Sequence, residues 1–305
     1  RTLAARMVDA QAPGLARRVE ALSGIDADEQ LERLGALWLL TEAWGRRDTL
    51  SPEERADVET AVGFTVRRED VLAGGAVEDT WLVLAREQSV DGRLTELLTV
   101  LWGRTTDRAA LVLDFGVQGS VVATSPPPGT RFDGALAFAT SPAPLRAYVA
   151  ADMAPQPLGA LPGALPGALP GGLGDATCVA ACERRVRALA ACPWTDARPA
   201  LLRDVTIARR GDAWLLRDAT GDALPLAPRG SAHELAVWEQ LCRIPYGETI
   251  TYGELARRTG TVARAVGGTC GANPIAIVIP CHRVTAAGGQ LGGYSGGNGP
   301  ESKRR

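Results

Sequence analysis

Histidine is scarce: the 305-residue chain holds two, His233 and His282, and this narrows the chemistry open to it. A zinc site of the usual Cys/His kind needs four suitably spaced ligands. Cys178 and Cys182 stand at i and i+4 on one face of an expected helix, but no second pair lies near them. Core packing is therefore the expectation for both, and no metal is expected. No apolar run reaches the length of a membrane span. The start, Arg1-Thr2-Leu3, is neither a signal peptide nor an obvious natural beginning, which points to a fragment. Net charge is slight as well: −2 argues against a generally basic nucleic-acid binder. With no secretory signal, the six cysteines point to reduced thiols and a cytoplasmic setting.

What is present is the composition of a soluble globular protein, 46% hydrophobic and 22% charged, long enough for two domains. The charge is unevenly spread. From residue 231 onward eight basic residues stand against five acids, a net of +3, which leaves −5 for the remainder. A mildly basic C-terminal part suits contact with phosphates.

The expected fold class is α+β. Residues 1–62 read as helices: Leu31, Leu34 and Trp38 fall at i, i+3 and i+7, with Leu37, Leu39 and Leu40 widening the apolar face. Ser51-Pro52-Glu53-Glu54 reads as an N-cap followed by proline at the first helical position. Strand-like runs over 81–85, 110–115 and 135–138, separated by turn signals such as Pro126-Pro127-Pro128-Gly129, complete an α+β region over 1–154. Residues 155–174 form a Pro/Gly linker in which Ala160 to Gly171 is three tandem copies of A-L-P-G. A small α+β unit is expected over 175–230, with a helix at 176–191, strands near 202–207 and 214–216, and a turn at Gly221-Asp222.

The chain is organised around Ile275 to Val284, I-A-I-V-I-P-C-H-R-V. An apolar run of strand length is halted by Pro280, which cannot donate to a ladder, and Cys281 and His282 follow. A thiol is a strong nucleophile only as thiolate, and imidazole is the side chain best able to take its proton near neutral pH. Neighbours on an extended strand point to opposite faces, so contact requires a turn at Cys281 or a bridging water. Taken alone, such a cysteine is more often a small buried hydrophobe and the histidine a loop residue. Upstream, Thr251-Tyr252-Gly253-Glu254 fits a capping box, starting a helix that ends near Gly260. A second helix begins near Thr261 with Arg264 in its first turn, and the two make a helix-turn-helix.

Several separated motifs occur in one order: W-E-Q-L-C-R-I-P-Y-G-E-T-I-T-Y-G-E-L-A from Trp238, R-A-V-G-G from Arg264, Asn273-Pro274, P-C-H-R-V from Pro280, and Gly292-Gly293-Tyr294-Ser295-Gly296-Gly297. On these, residues 233–305, roughly a quarter of the chain, resemble the catalytic domain of the O6-alkylguanine-DNA alkyltransferases. The resemblance implies a winged-helix-like domain over 231–305 whose recognition helix enters the minor groove of double-stranded DNA. It implies irreversible transfer of an alkyl group from O6-alkylguanine, or O4-alkylthymine, to Cys281. His282 would take the thiol proton through a water, Asn273 would bond the cysteine segment, and Tyr294 would donate near the leaving oxygen. Tyr252 would push the target phosphate; Arg264, with Ala265 and Gly267 beside it, would fill the duplex after base extrusion. Tyr252, Val284, Tyr294 and Ser295 would border the base. No cofactor is implied, and the molecule is expected to be a monomer.

One departure stands out. The family's relay continues from the histidine to a glutamate in a last helix; Glu301 comes too early to match it, so the domain reads as C-terminally truncated. Patches in residues 1–228, among them A-Q-A-P-G-L-A-R-R-V and W-L-L-R-D-A-T-G-D-A-L-P-L, resemble the region after the finger in SWIM zinc-finger proteins, without the finger itself. Two rival readings follow: a lesion-binding module without transfer, which Cys281 argues against, and a SWIM-type interaction protein with an incidental C-terminal domain.

Overall fold

The computed structural model describes residues 3–9, 11–23, 25, 27–91, 94–117, 121–150, 154–157, 173–195, 199–211, 213–228, 230–245, 247–275, 278–293 and 303. The chain divides into two compact units, Arg1–Asp204 and Val205–Arg305. No helix among the described residues is long and apolar enough to cross a membrane.

The first unit opens with helices α1 (Leu3–Asp9), α2 (Pro13–Glu20), α3 (Ala27–Gly45) and α4 (Pro52–Val62). Prolines at the first turns of α2 and α4 occupy positions whose N–H has no intrahelical partner. Ser51 caps α4 in a complete box, accepting from Glu54 N while Glu54 Oε2 accepts from Ser51 N at 2.9 Å. The helices pack on Leu40, Val58 and Val62, with Ala43 and Trp44 beside them. Gly14 allows α2 to meet α4 at its end: a Cβ there would lie 2.7 Å from the Val62 carbonyl. The expected apolar face of α3 is corrected by this packing. Leu40 is buried, whereas Leu31, Leu34, Trp38 and Leu39 are exposed, because α2 and α4 meet α3 on the Leu40–Trp44 side.

After α5 (Arg68–Ala73) come strands β1 (Val77–Asp91), β2 (Leu94–Gly103), β3 (Ala109–Val117), β4 (Thr130–Phe138), β5 (Ala147–Val149) and β6 (Gln156–Pro157). They form an antiparallel sheet in the order β3-β2-β1-β4-β5, with β6 also on β4. The expected strands fall in the middle of β1, over most of β3 and at the end of β4. β2, left out of the sequence expectation, sits between β1 and β3, and its burial alternates along much of its length as a half-buried strand requires. Trp81, Val83 and Phe132 pack on one face, and Leu82 and Trp102 pack with Leu173 and Leu201 in a second cluster.

The expected unit over 175–230 is divided. Helix α6 (Cys178–Ala191) belongs to the first unit, where Arg184 pairs with Asp107 and Asp175. Cys178 is buried but Cys182 is exposed, so only one of that pair packs in the core. Strands β7 (Thr206–Arg210), β8 (Ala213–Arg217) and β9 (Ala223–Pro225) form an antiparallel sheet in the second unit. The expected strand near 202 begins later, at Thr206; Leu202 makes only an isolated bridge to Asp175. The A-L-P-G repeats lie outside the described residues.

The second unit continues with α7 (Ala232–Cys242), β10 (Ile250–Thr251), α8 (Tyr252–Arg258), α9 (Ala263–Gly271) and β11 (Val284–Thr285), which pairs in parallel with β10. Ser231 and Glu234 form a complete capping box on α7. Thr251 caps α8 by accepting from Glu254 N at 3.1 Å, but the reciprocal half is absent. The Glu254 carboxylate turns instead to Arg257 and Arg258, one helical turn on, where two guanidinium groups outweigh one backbone N–H. Gly260, at φ +65, reverses the chain between α8 and α9. Val237, Trp238, Leu241, Leu255, Val266 and Val284 form the core, and Trp238 Nε1 donates to the Thr269 carbonyl.

Candidate active site

The site lies between the end of α9 and the start of β11. Where a buried strand is expected over 275–279, Ile279 N donates to Ile275 O at 3.0 Å and Cys281 N to Ile279 O at 2.8 Å, bonds of a chain reversal and not of a ladder. Pro280, unable to donate, precedes a single 3-10 turn over Cys281–Arg283, closed by Arg283 N to Pro280 O. A turn at Cys281 is one of the two arrangements open to the Cys281–His282 pair. It buries Cys281 and leaves His282 half-buried. Arg283 ties the turn to the residues just after α7 by donating to Ile244 O at 2.9 Å.

Asn273 holds this loop. Its Oδ1 accepts from Ile275 N at 3.0 Å, which leaves Nδ2 to donate to Ile279 O at 2.8 Å and to Cys281 Sγ at 3.1 Å. The amide orientation is fixed by its partners: a backbone N–H requires the oxygen and a carbonyl requires the NH2.

Burial, then the positive charges of Arg283 and Lys303, push the His282 imidazole below its ordinary value. The ring is therefore neutral at pH 7 and able to accept a proton. The unfolded chain still protonates this histidine near 6.5. As pH falls through that value the unfolded state binds more protons than the folded one, so stability falls with it. Thermal melts from pH 7.5 to 5 will show a shallower acid loss for His282→Gln than for the wild type; parallel curves would refute the assignment.

Tyr252, opening α8, is partly buried against the core cluster, and burial raises its phenol above the ordinary range. Its hydroxyl donates to Gly293 O at 3.3 Å. Gly292, at φ +65, lies close enough to the ring that a Cβ would sit 3.0 Å from Tyr252 Cε2. Lys303, unanticipated in the sequence, is buried here and donates to Gly293 O at 3.1 Å and to Tyr252 Oη at 3.4 Å. Fifty-one residues separate Lys303 from Tyr252, so no local pattern links them.

Arg264 is exposed in the first turn of α9, while Glu254 is engaged by Arg257 and Arg258. Ala265 and Gly267 are half-buried on the same helix, and Val284 is wholly buried in the core. Tyr294, Ser295 and Glu301 lie outside the described residues. No group of three or more metal-ligating side chains occurs among the described residues.

Comparison with known proteins gives two matches to family profiles. Residues 232–305 match the 6-O-methylguanine DNA methyltransferase, DNA binding domain, and residues 1–62, which hold α1 to α4, match the SWIM-associated four-helix bundle domain. A methylated-DNA-protein-cysteine methyltransferase of Mycobacterium leprae is 49% identical over 88 residues, 28% of this chain and 53% of the relative. One of Methanosarcina acetivorans is 45% identical over 91 residues, 29% of this chain and 58% of the relative. The chain thus spans little more than half the length of these curated relatives. Among solved structures, Mycobacterium tuberculosis OGT in complex with DNA is 50% identical, covering 27% of this chain and 51% of that one, with a TM-score of 0.25.

Proposed function

We propose that the second unit repairs DNA by moving an alkyl group, typically methyl, from O6 of guanine in double-stranded DNA to Cys281, once per molecule. O4-alkylthymine offers the same alkyl–oxygen bond. The observation that carries this reading is the Asn273 amide donating to Cys281 Sγ at 3.1 Å, beside a histidine held neutral. His282 takes the thiol proton through a water, and the thiolate attacks the alkyl carbon. The carbon–oxygen bond breaks as the sulfur–carbon bond forms. Tyr294 is the donor that family resemblance assigns to the departing oxygen, and Ser295 and Val284 belong with it to the base pocket. The product is a thioether that no group in the site hydrolyses, and a thiol acceptor needs no cofactor.

An alkylated base inside a stacked duplex is out of reach and must be flipped out, at about a few kcal/mol. The helix-turn-helix of α8 and α9 does this from the minor groove: Tyr252 presses the target phosphate, Arg264 fills the vacated stack, and Ala265 and Gly267 allow close approach. One copy serves one lesion, and the setting is the cytoplasm.

The test is mass spectrometry after mixing the full chain with a duplex containing O6-methylguanine. Trypsin releases residues 265–283 as one peptide, and covalent capture adds about 14 Da, one methylene, to it. A folded chain that binds the duplex without that gain is a lesion-binding module instead. Arg264→Ala separates flipping from chemistry: transfer from duplex will slow by about 10- to 100-fold, in line with losing part of the extrusion energy. Transfer from the same lesion in single-stranded DNA will change far less, and equal losses on both substrates would remove the finger role.

A further inference from the structure

Six residues run along one side of α3 at alternating steps of four and three: Ala27, Leu31, Leu34, Trp38, Thr41 and Gly45. That is the a/d spacing of a coiled-coil seam, in which each apolar side chain meets a facing helix. All six are exposed, on the side of α3 away from buried Leu40. Leu31 is 72%, Leu34 45% and Trp38 62% exposed, so the packing of α2 and α4 leaves this seam uncovered. A lone exposed leucine needs no explanation, but three large apolar residues in register, one of them tryptophan, mark a contact surface.

Charge decides what fits the seam. Asp28, in the first turn, and Arg46, the residue after the helix, are 18 positions apart, about five turns, so they lie on one flank of the seam. Both are exposed, and Arg46 N still donates to the Glu42 carbonyl at 3.2 Å, which keeps it on the helical path. An antiparallel copy of α3, related by a two-fold axis at the level of Ala36, sets Asp28 beside the partner's Arg46 at both ends and opposes the two helix dipoles. A parallel copy would set Asp28 on the partner's Asp28 and Arg46 on the partner's Arg46. The same two-fold puts Trp38 against the partner's Leu34, and Gly35 leaves room beside it: a Cβ added there would meet nothing within 4 Å. A helix of 19 residues is about 28 Å long, and two such faces laid together bury on the order of 1,000 Å², the low end for a specific interface. Such a pairing is weak and depends on concentration.

We infer that α3 is a self-association surface: two copies of the chain pair antiparallel through the seam of Leu31, Leu34 and Trp38, with Asp28 of each copy beside the partner's Arg46. This pairing belongs to the first unit and is independent of the chemistry at Cys281. The expected monomer follows from resemblance over 231–305, which does not include α3.

Sedimentation velocity on the full chain from about 1 to 200 μM will show the mass rising from monomer towards dimer. Leu34→Glu and Trp38→Glu change exposed side chains, so the far-ultraviolet circular dichroism will stay that of the wild type while the dissociation constant rises by about 10-fold or more. Val186→Glu on α6, at a residue 64% exposed, is the control and will leave the dimer unchanged. Asp28→Arg and Arg46→Asp will each weaken pairing by a few-fold, and the double exchange within one chain will restore it. A chain that stays monomeric across the range, or a dimer indifferent to Leu34→Glu and Trp38→Glu, would overturn the self-association surface. A double exchange that binds no tighter than the single variants would overturn the antiparallel arrangement.

Discussion

Alanine in place of Cys281 is expected to end covalent methyl uptake entirely, with the chain still folded and its affinity for the alkylated duplex changed by no more than a few-fold. Cys270, another buried thiol of the same cluster, is pushed up to about 12 by burial and stays protonated near neutral pH. A partial effect would therefore be informative. The fold tolerates the change because the substitution removes one sulfur from a core whose bulk comes from Val237, Trp238, Leu241 and Leu255. Truncation by a single heavy atom costs about 1 kcal/mol. Intact mass after exposure to lesion duplex, read beside a gel-shift titration, decides it; an adduct on the Cys281→Ala chain would place the acceptor elsewhere.

The second large effect is electrostatic. Asn273→Asp keeps the shape of the side chain and its acceptance from Ile275 N, but replaces the NH2 that faces Ile279 O and Cys281 Sγ with an oxygen. A carboxylate at that distance repels negative charge on the sulfur, the charge the attacking form must carry. Transfer at pH 7 is expected to fall by about 100-fold or more, with its optimum displaced to alkaline pH. Asn273→Ala is the control: it orphans the Ile279 carbonyl at about 1–3 kcal/mol of stability but brings no charge. Rates measured from pH 6 to 10 in both variants separate the two causes. If the profiles coincide, the amide acts only as a brace for the loop.

The sequence alone determined the helix starts and the order of the motifs. Ser51 and Thr251 lie at helix N-termini as read from sequence, because capping is satisfied within one turn and needs no distant partner. The reversal at Gly260, the placement of Arg264 in the first turn of α9, and the α+β class follow from equally local signals. The nomination of Cys281, His282 and Asn273 came from motif order, and the structure brings Asn273 and Cys281 together.

Tertiary structure decided what depends on partners remote in the chain. Which face of α3 is buried was set by where α2 and α4 lie, so Leu31, Leu34 and Trp38 stay exposed despite their helical spacing. The run 275–279 has a strand-like composition, yet Asn273 Nδ2 binds Ile279 O and Ile279 N donates to Ile275 O, so its described ends are held by a chain reversal against their β propensity. Glu254 left its expected cap for two arginines. Lys303 reached Tyr252 and Gly293 across the unit. Local pattern specifies how a segment begins and bends; burial, charge pairing and the meeting of distant side chains are properties of the packed whole, and in this chain they place Asn273 on the thiol of Cys281.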